Sequence, residues 1–508
     1  MVLQKNNYTA MKTKFFSIFG IPVQNLTLRM TSEKILDLIY KFEKGHSPHY
    51  ISTLNADFVA NVHGWSLEPK HPELLKVIRE STFTTADGFP IVLLSHLLGN
   101  PLNGRVTGAD LIPDLLELLS VKNKSVYLLG GEETVTKLAA EKLQNKYKGL
   151  QIKGIDCSMI YTEGLNLINS QERDQLILEQ IHQAQPDVLL LCLGNPKQEI
   201  WFKRVRHLLS VPVVIGIGGT LNFISGKILR APPQVQSMGL EWLWRLVQEP
   251  GRLFKRYLND FVKLIWLGVP LIFYHNLNQL LTSHFRKNPE QQINQQALLF
   301  ISAHRTISIL TSPKTLNGNA VNVLEQEIID SYNREAIVIN MQHTLHIDLE
   351  GIAFLIKTRI RAEKDNKKIF LLGIRSNVKL LLIFHKAWDL LRKESFSEPA
   401  KILELMNTNE LYEAIDQTAN TVTVAFLGSL GPETDYGHSF QKLVPMLQQK
   451  NCTIDLTYCT DIHNIAFEFL LRIRQMMKTQ KTHLTLTGVN PTVKRELKAA
   501  KLLKYFRV

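Results

Sequence analysis

Between residues 15 and 230, short apolar runs alternate with stretches whose apolar residues recur every three or four positions. That alternation predicts strands and helices in turn: an α/β domain on a mostly parallel, Rossmann-like sheet. Strands are expected at 50–53, 125–129, 187–192 and 212–217. One helical face is formed by Ile35, Leu36, Leu38, Ile39 and Phe42 behind Thr31 and Ser32 as caps. Another is formed by Val135, Leu138, Ala139 and Leu143 after Gly130-Gly131. Residues 240–285 read as long helices carrying both aromatics and Arg/Lys, and 288–296 (NPEQQINQQ) as a polar linker. The run 264–274 (LIWLGVPLIFY) is interrupted by Gly268 and Pro270. A bilayer span takes about 20 apolar residues, so this run is expected to lie in a membrane surface rather than cross it. The stretch 12–23 is short, broken by Gly20 and Pro22, and is not expected to act as a targeting signal.

Beyond the linker the chain repeats itself. Asp348-Leu-Glu-Gly-Ile-Ala-Phe354 recurs as Asp461-Ile-His-Asn-Ile-Ala-Phe467, and Arg359-Ile-Arg361 as Arg472-Ile-Arg474 in the same register. Each copy is expected to contribute a strand (336–341; 453–458), an amphipathic helix, a strand ending at Gly373 or Gly488, and a final helix.

A chain of 508 residues with 45% hydrophobic and 21% charged residues is globular, and long enough for several domains. Its net charge of +13 suits phosphate-bearing ligands or anionic surfaces. The four cysteines, Cys157, Cys192, Cys452 and Cys459, are too scattered for a disulfide framework and point to a reducing cytoplasm.

Ligands of an open parallel sheet collect at the carboxyl ends of its strands. Thr53 and Asn55, Asp87-Gly88, Arg105, Asn195-Pro-Lys-Gln198-Glu199 and Gly218-Gly219-Thr220 all follow expected strands or sit in adjoining turns. Singly, each reads as turn punctuation; their convergence on one sheet edge points to a site. Other chemistries lack their motifs. Gly226-Lys227-Ile228 has no Ser/Thr after the lysine of a P-loop, and neither a Gly-x-Ser-x-Gly elbow nor an Asp-x-Asp pair occurs. His343-x-x-His346 with Asp348 has metal-like spacing, but its second copy keeps only Asp461 and His463, so it reads as structural. No nucleic-acid-binding module or basic stripe is present.

Seven blocks resemble the WecG/TagA/CpsF family of bacterial glycosyltransferases, in the family's order: STLNADFV (52–59), ADGFPIV (86–92), RVTGADL (105–111), PDVLL…LGNPKQE (186–199), GIGGT (216–220), GKILRAP (226–232) and GLEWLWRLVQEPGRL (239–253). The resemblance implies a metal-independent enzyme without a cofactor. Such an enzyme moves N-acetylmannosamine, or its uronic acid, from a UDP-sugar to polyprenyl-diphosphate-linked N-acetylglucosamine with inversion, in cell-surface polysaccharide synthesis. Asp87 matches the family's general base. Thr53, Asn55 and Gln198 match substrate-holding positions, Asn195 is a further substrate-binding candidate beside them, and Arg105 with the Gly218-Gly219 turn would neutralise the diphosphate. One departure is Leu221-Asn222-Phe223, where the family usually carries Phe-Asp-Phe.

Residues 240–274 match the family's membrane-meeting appendage. Arg245, Arg252, Lys255 and Arg256 are expected largely along one helical face, gripping an anionic lipid diphosphate. The repeats resemble STAS domains, with Leu349 and Ile462 where regulatory members carry Ser or Thr. The expected layout is therefore a transferase domain over 1–238, a helical membrane-associating appendage over 239–287, a linker over 288–297, and STAS-like domains over 298–415 and 416–508. Expected partners are the UDP-sugar, the lipid-linked acceptor, the inner face of the cell membrane, and a protein or second copy through the STAS-like units; nucleic acid is not among them. The alternatives are a catalytically inactive regulatory scaffold and another nucleotide-binding enzyme on the same sheet.

Overall fold

The computed structural model describes residues 14–506, apart from 44, 66–67, 163–166, 168–169, 287–296, 303–304, 408–410 and 433. The polar linker lies almost wholly outside the described residues. The chain divides into two compact units. The first comprises Met1–Leu281, Leu349–Ile360 and Leu380–Asp389, and the second Thr282–Asp348, Arg361–Lys379 and Leu390–Val508.

The first unit opens with a hairpin, β1 (Phe15–Ile18) and β2 (Ile21–Gln24), then α1 (Leu28–Lys41). There follow β3 (His49–Leu54), α2 (Ala56–Val62), α3 (Pro72–Arg79), β4 (Phe83–Ala86), α4 (Phe89–Leu97) and α5 (Gly108–Val121). Next come β5 (Ser125–Leu129), α6 (Glu133–Lys146), β6 (Gln151–Asp156), α7 (Ser170–Ala184), β7 (Val188–Leu191), α8 (Lys197–Val205), β8 (Val213–Gly216) and α9 (Thr220–Ser225). Three helices close the segment: α10 (Pro233–Ser237), α11 (Glu241–Gln248) and α12 (Pro250–Arg286).

Strands β4-β3-β8-β7-β5-β6 pair in that order, all parallel, so their carboxyl ends share one edge. Both faces of the sheet are buried, and the period of two in each strand divides its side chains between two cores. Val126, Leu128, Val188, Leu190, Val213 and Ile215 join the core that includes residues of α1, α5 and α6. Tyr127, Leu129, Leu189, Leu191 and Val214 join the core that includes α7 and α8. The expected strands fall here with shifts of a residue or two, whereas β1, β2, β4 and β6 are short or partly polar and carry no comparable apolar run.

Helix α1 starts a turn earlier than its expected caps. Thr27 is the cap, its hydroxyl accepting from Met30 N, while Thr31 and Ser32 are buried inside the helix. Thr31 instead donates its hydroxyl to Thr27 O at 2.8 Å, an i−4 bond that lets a cap-type residue sit within a helix.

Gly268 and Pro270 do not interrupt α12, which runs through both for 37 residues. A proline removes one intrahelical bond, and the surrounding turns carry the helix past it. It is the one helix among the described residues that is long and apolar enough to cross a membrane by length and composition. Its buried face mixes Leu253, Leu267 and Leu271 with polar residues, while its exposed face is largely apolar. Asp260, Lys263, His275, Asn278 and Thr282 are buried, whereas Phe254, Phe261, Trp266, Phe273 and Leu280 are exposed. Soluble helices normally place these classes the other way round.

In the second unit, 298–301 and 306–311 form an antiparallel hairpin, and 336–340 and 368–372 extend it in parallel. Residues 412–417, 421–430, 451–455 and 484–487 repeat that arrangement. The first strands of the two copies meet antiparallel at Glu413 and Ile301, so both copies share one continuous sheet. Helices Leu349–Lys364 and Asn464–Thr479 fall at equivalent points in the chain order of the two copies, as the repeated sequence predicts, although Leu349–Ile360 belongs to the first unit.

Candidate active site

Asp87 is the first residue after β4. Its N–H donates to Leu54 O of β3 at 2.7 Å, and Gly88 turns the chain at φ 96°, a conformation favouring glycine. Val106 N donates to Ala86 O at 2.8 Å, tying the loop that bears Arg105 to the end of the same strand. Thr107 caps α5 and donates its hydroxyl to Asp110 at 2.7 Å.

Around Asp87 the structure gathers three guanidiniums and two further carboxylates. Arg105 Nη1 donates to Glu241 Oε2 at 3.0 Å, and Arg230 Nε stands 3.1 Å from Glu241 Oε1. Arg230 Nη2 donates to Asp110 Oδ1 at 2.9 Å. Gln236 Oε1 accepts from both Arg105 Nη2 and Arg230 Nη2, each at 3.2 Å. The guanidiniums of Arg245 and Arg230 lie 5.2 and 5.7 Å from the centre of the Phe223 ring, within cation–π range. Burial, then the charges of Glu241 and Asp110, push the Asp87 carboxyl up to about 7 against the opposing pull of Arg105 and Arg245.

A second polar group lies at the ends of β7 and β8. Glu199 is 1% exposed and accepts from Gln198 Nε2 at 2.7 Å, Tyr50 Oη at 3.2 Å and Asn195 Nδ2 at 3.3 Å. Burial raises its carboxyl to about 7 although all three bonds favour the ionised form. Gly218 N donates to Gln198 Oε1 at 3.2 Å, so both ends of the Gln198 amide are engaged within the protein. Gly218 itself takes φ 50° and leads to Gly219, the cap of α9.

Thr53 is half-buried near the end of β3, opposite Thr85. Asn55 caps α2, its Oδ1 accepting from Phe58 N at 2.9 Å. Asn195 Oδ1 accepts from Asn61 Nδ2 at 2.8 Å. The expected single basic face does not form. Glu249, at φ −133° and ψ 55°, and Pro250 separate α11 from α12, because proline supplies no N–H to continue the first helix. Arg245 therefore joins the Asp87 cluster, while exposed Arg252 pairs with Glu249 at 2.6 Å and exposed Lys255 lines an open apolar groove with Leu246, Val247 and Phe254. Arg256 faces Asp57 at 3.9 Å.

Sequence reasoning passed over Arg230, Glu241 and Asp110, and it placed Glu199 at the site edge without giving it a role of its own. All four lie inside the blocks quoted above, but their long-range pairings span up to 149 residues and have no local periodicity.

The profile of the glycosyl transferase WecG/TagA/CpsF family matches residues 16–277, about half the chain. An N-acetylglucosaminyldiphosphoundecaprenol N-acetyl-beta-D-mannosaminyltransferase of Bacillus subtilis (strain 168) is 34% identical over 190 residues, covering 37% of this chain and 70% of the relative. An enzyme of the same name from Staphylococcus aureus (strain MW2) is 26% identical over 236 residues, covering 46% of this chain and 85% of that one. A solved structure of SLC26A9 matches at 12% identity and TM-score 0.21 over 75% of this chain and 74% of that chain, too slight a likeness to define a fold. The family match spans the parallel sheet, the carboxylate–guanidinium cluster and α12 as far as residue 277; the chain belongs to the WecG/TagA/CpsF family of glycosyltransferases.

Proposed function

We propose that the chain is a hexosyltransferase that moves N-acetylmannosamine, or its uronic acid, from UDP to a hydroxyl of polyprenyl-diphosphate-linked N-acetylglucosamine, inverting the anomeric carbon. The names of the relatives support the sugar and the acceptor. The observation that carries the reading is Asp87, a carboxyl held near neutral at a strand end beside Arg105 and Arg245. Its proton affinity suits a general base working near pH 7. As the acceptor oxygen bonds to the sugar's anomeric carbon, its proton passes to Asp87, and the bond from that carbon to the diphosphate oxygen breaks. The departing diphosphate carries the negative charge, and Arg105, Arg230 and Arg245 are the cations available to receive it without a metal.

The acceptor's lipid sets the location. The apolar exposed face of α12, with Phe254, Phe261, Trp266 and Phe273, supports peripheral attachment to the inner face of the membrane. Exposed Arg252 and Lys255 add attraction to anionic headgroups. The paired repeats of the second unit are read as STAS-like binding modules for a protein or a second copy. Asn222, in place of the usual aspartate, favours a second reading, a non-catalytic scaffold using those modules.

Release of UDP from UDP-N-acetylmannosamine with a lipid-diphosphate acceptor separates the two. Turnover by the native chain that falls by at least about 100-fold in Asp87→Asn supports the base. Equal turnover in both removes Asp87 from the role, and no turnover by either supports the scaffold.

A further inference from the structure

Glu241 has no role in the transfer described above, yet it sits at the centre of the cations that transfer needs. It is the first residue of α11, and its two carboxylate oxygens face different loops: Oε2 accepts from Arg105 Nη1 at 3.0 Å, and Oε1 stands 3.1 Å from Arg230 Nε. A carboxylate shared by two arginines mimics the way a diphosphate would be held. The fit is imperfect. Arg230 Nε and Arg245 Nε are buried donors that make no hydrogen bond among the described residues. The charges nearly balance: Asp110, Glu241 and Asp87, itself half-ionised near pH 7, face Arg105, Arg230 and Arg245. A diphosphate approaching this cluster meets little net positive charge, because Glu241 offsets one of the three cations.

We propose that Glu241 is a resident competitor for the donor's diphosphate: it holds Arg105 and Arg230 in place and gives them up to the nucleotide, so that UDP binds weakly enough to leave after transfer. The proposal rests on the transferase reading and assigns Glu241 as a positioning residue. It gives α11, the helix that joins the sheet to α12, a direct hold on the phosphate cations. Release of product commonly limits turnover, so a built-in competitor favours rate over affinity.

Calorimetric titration of UDP into the full-length protein tests this. Glu241→Gln removes the charge but keeps the shape, and is expected to bind UDP about tenfold more tightly. Its kcat is expected to fall, with KM for the donor falling alongside. Glu241→Asp keeps the charge and should stay within about twofold of the native affinity. Gln236→Glu, which adds a carboxylate against the same two guanidiniums, should weaken UDP binding by about tenfold. The pH at which kcat/KM levels off should move down in Glu241→Gln, since Asp110 alone then opposes Arg105 and Arg245 around Asp87; a purely structural role would leave it in place. Opposite shifts in Glu241→Gln and Gln236→Glu support the proposal. Unchanged or weaker UDP binding in Glu241→Gln, with a native melting temperature, overturns it. No binding of UDP by the native protein overturns the transferase reading and this proposal together.

Discussion

Two carboxyls at the same edge of the sheet stand near pH 7, one directly after β4 and one in the first turn of α8, and burial is the largest cause in both. Their surroundings differ. Glu199 is sealed behind neutral donors, Tyr50, Gln198 and Asn195. Asp87 is only half-buried, and its neighbours are charges from several loops. A carboxyl ringed by neutral hydrogen bonds has a fixed proton affinity and a structural task. One held between opposing charges responds to whatever ion arrives next to it. The same perturbation thus marks a brace in one place and a candidate base in the other, and the kind of neighbour tells them apart.

The sharpest test of that contrast is one assay on two variants. Asp87→Asn is expected to lower kcat by about 10²–10⁴-fold, and Glu199→Gln by less than about tenfold. Arg105→Ala should cost about 10²-fold in turnover, because it removes a cation from the leaving diphosphate and frees Glu241. The pH profile follows. With Asp87 near 7, kcat/KM should rise about tenfold per unit below pH 7 and level off above it, and Asp87→Asn should lack that limb.

Stability runs the other way. Both folded values stand above the ordinary carboxylate values of 3.8 and 4.5, so the folded protein retains protons that the unfolded chain has released. Stability is therefore highest below about pH 4 as far as these groups decide it, and is lost as pH rises towards 7. Glu199→Gln should flatten that loss in melting curves from pH 5 to 8. It should also cost about 1–3 kcal/mol, since an amide cannot accept from all three buried donors. The smallest effect concerns the membrane. Trp266→Glu on the exposed face of α12 should reduce flotation with anionic vesicles several-fold while leaving the melting temperature nearly unchanged; unreduced flotation would move the contact elsewhere.

Much of the fold was legible because it is written in short-range patterns. The apolar runs at 125–129 and 187–192 mark buried strands with little else to become, and the duplicated Asp-x-x-x-Ile-Ala-Phe segment predicts two like units before any pairing is known. Asp87 and Arg105 were legible through the blocks around them. The start of α1 was misplaced because threonine serves equally as a cap or, with its hydroxyl turned back to a carbonyl, inside a helix. The basic face was misjudged because one proline outweighs the spacing of four cations.

The amino-acid order by itself determined the alternation of strands and helices, the duplicated C-terminal unit, and the family to which the first half belongs, since each rests on residues near one another in the chain. Tertiary structure decided that Glu241 and Arg230 join Arg105 around Asp87, that Gln198 is spent inside the protein, and that α12 turns its apolar side outward. Charge pairing and burial act through space between residues far apart in sequence, so no local pattern records them.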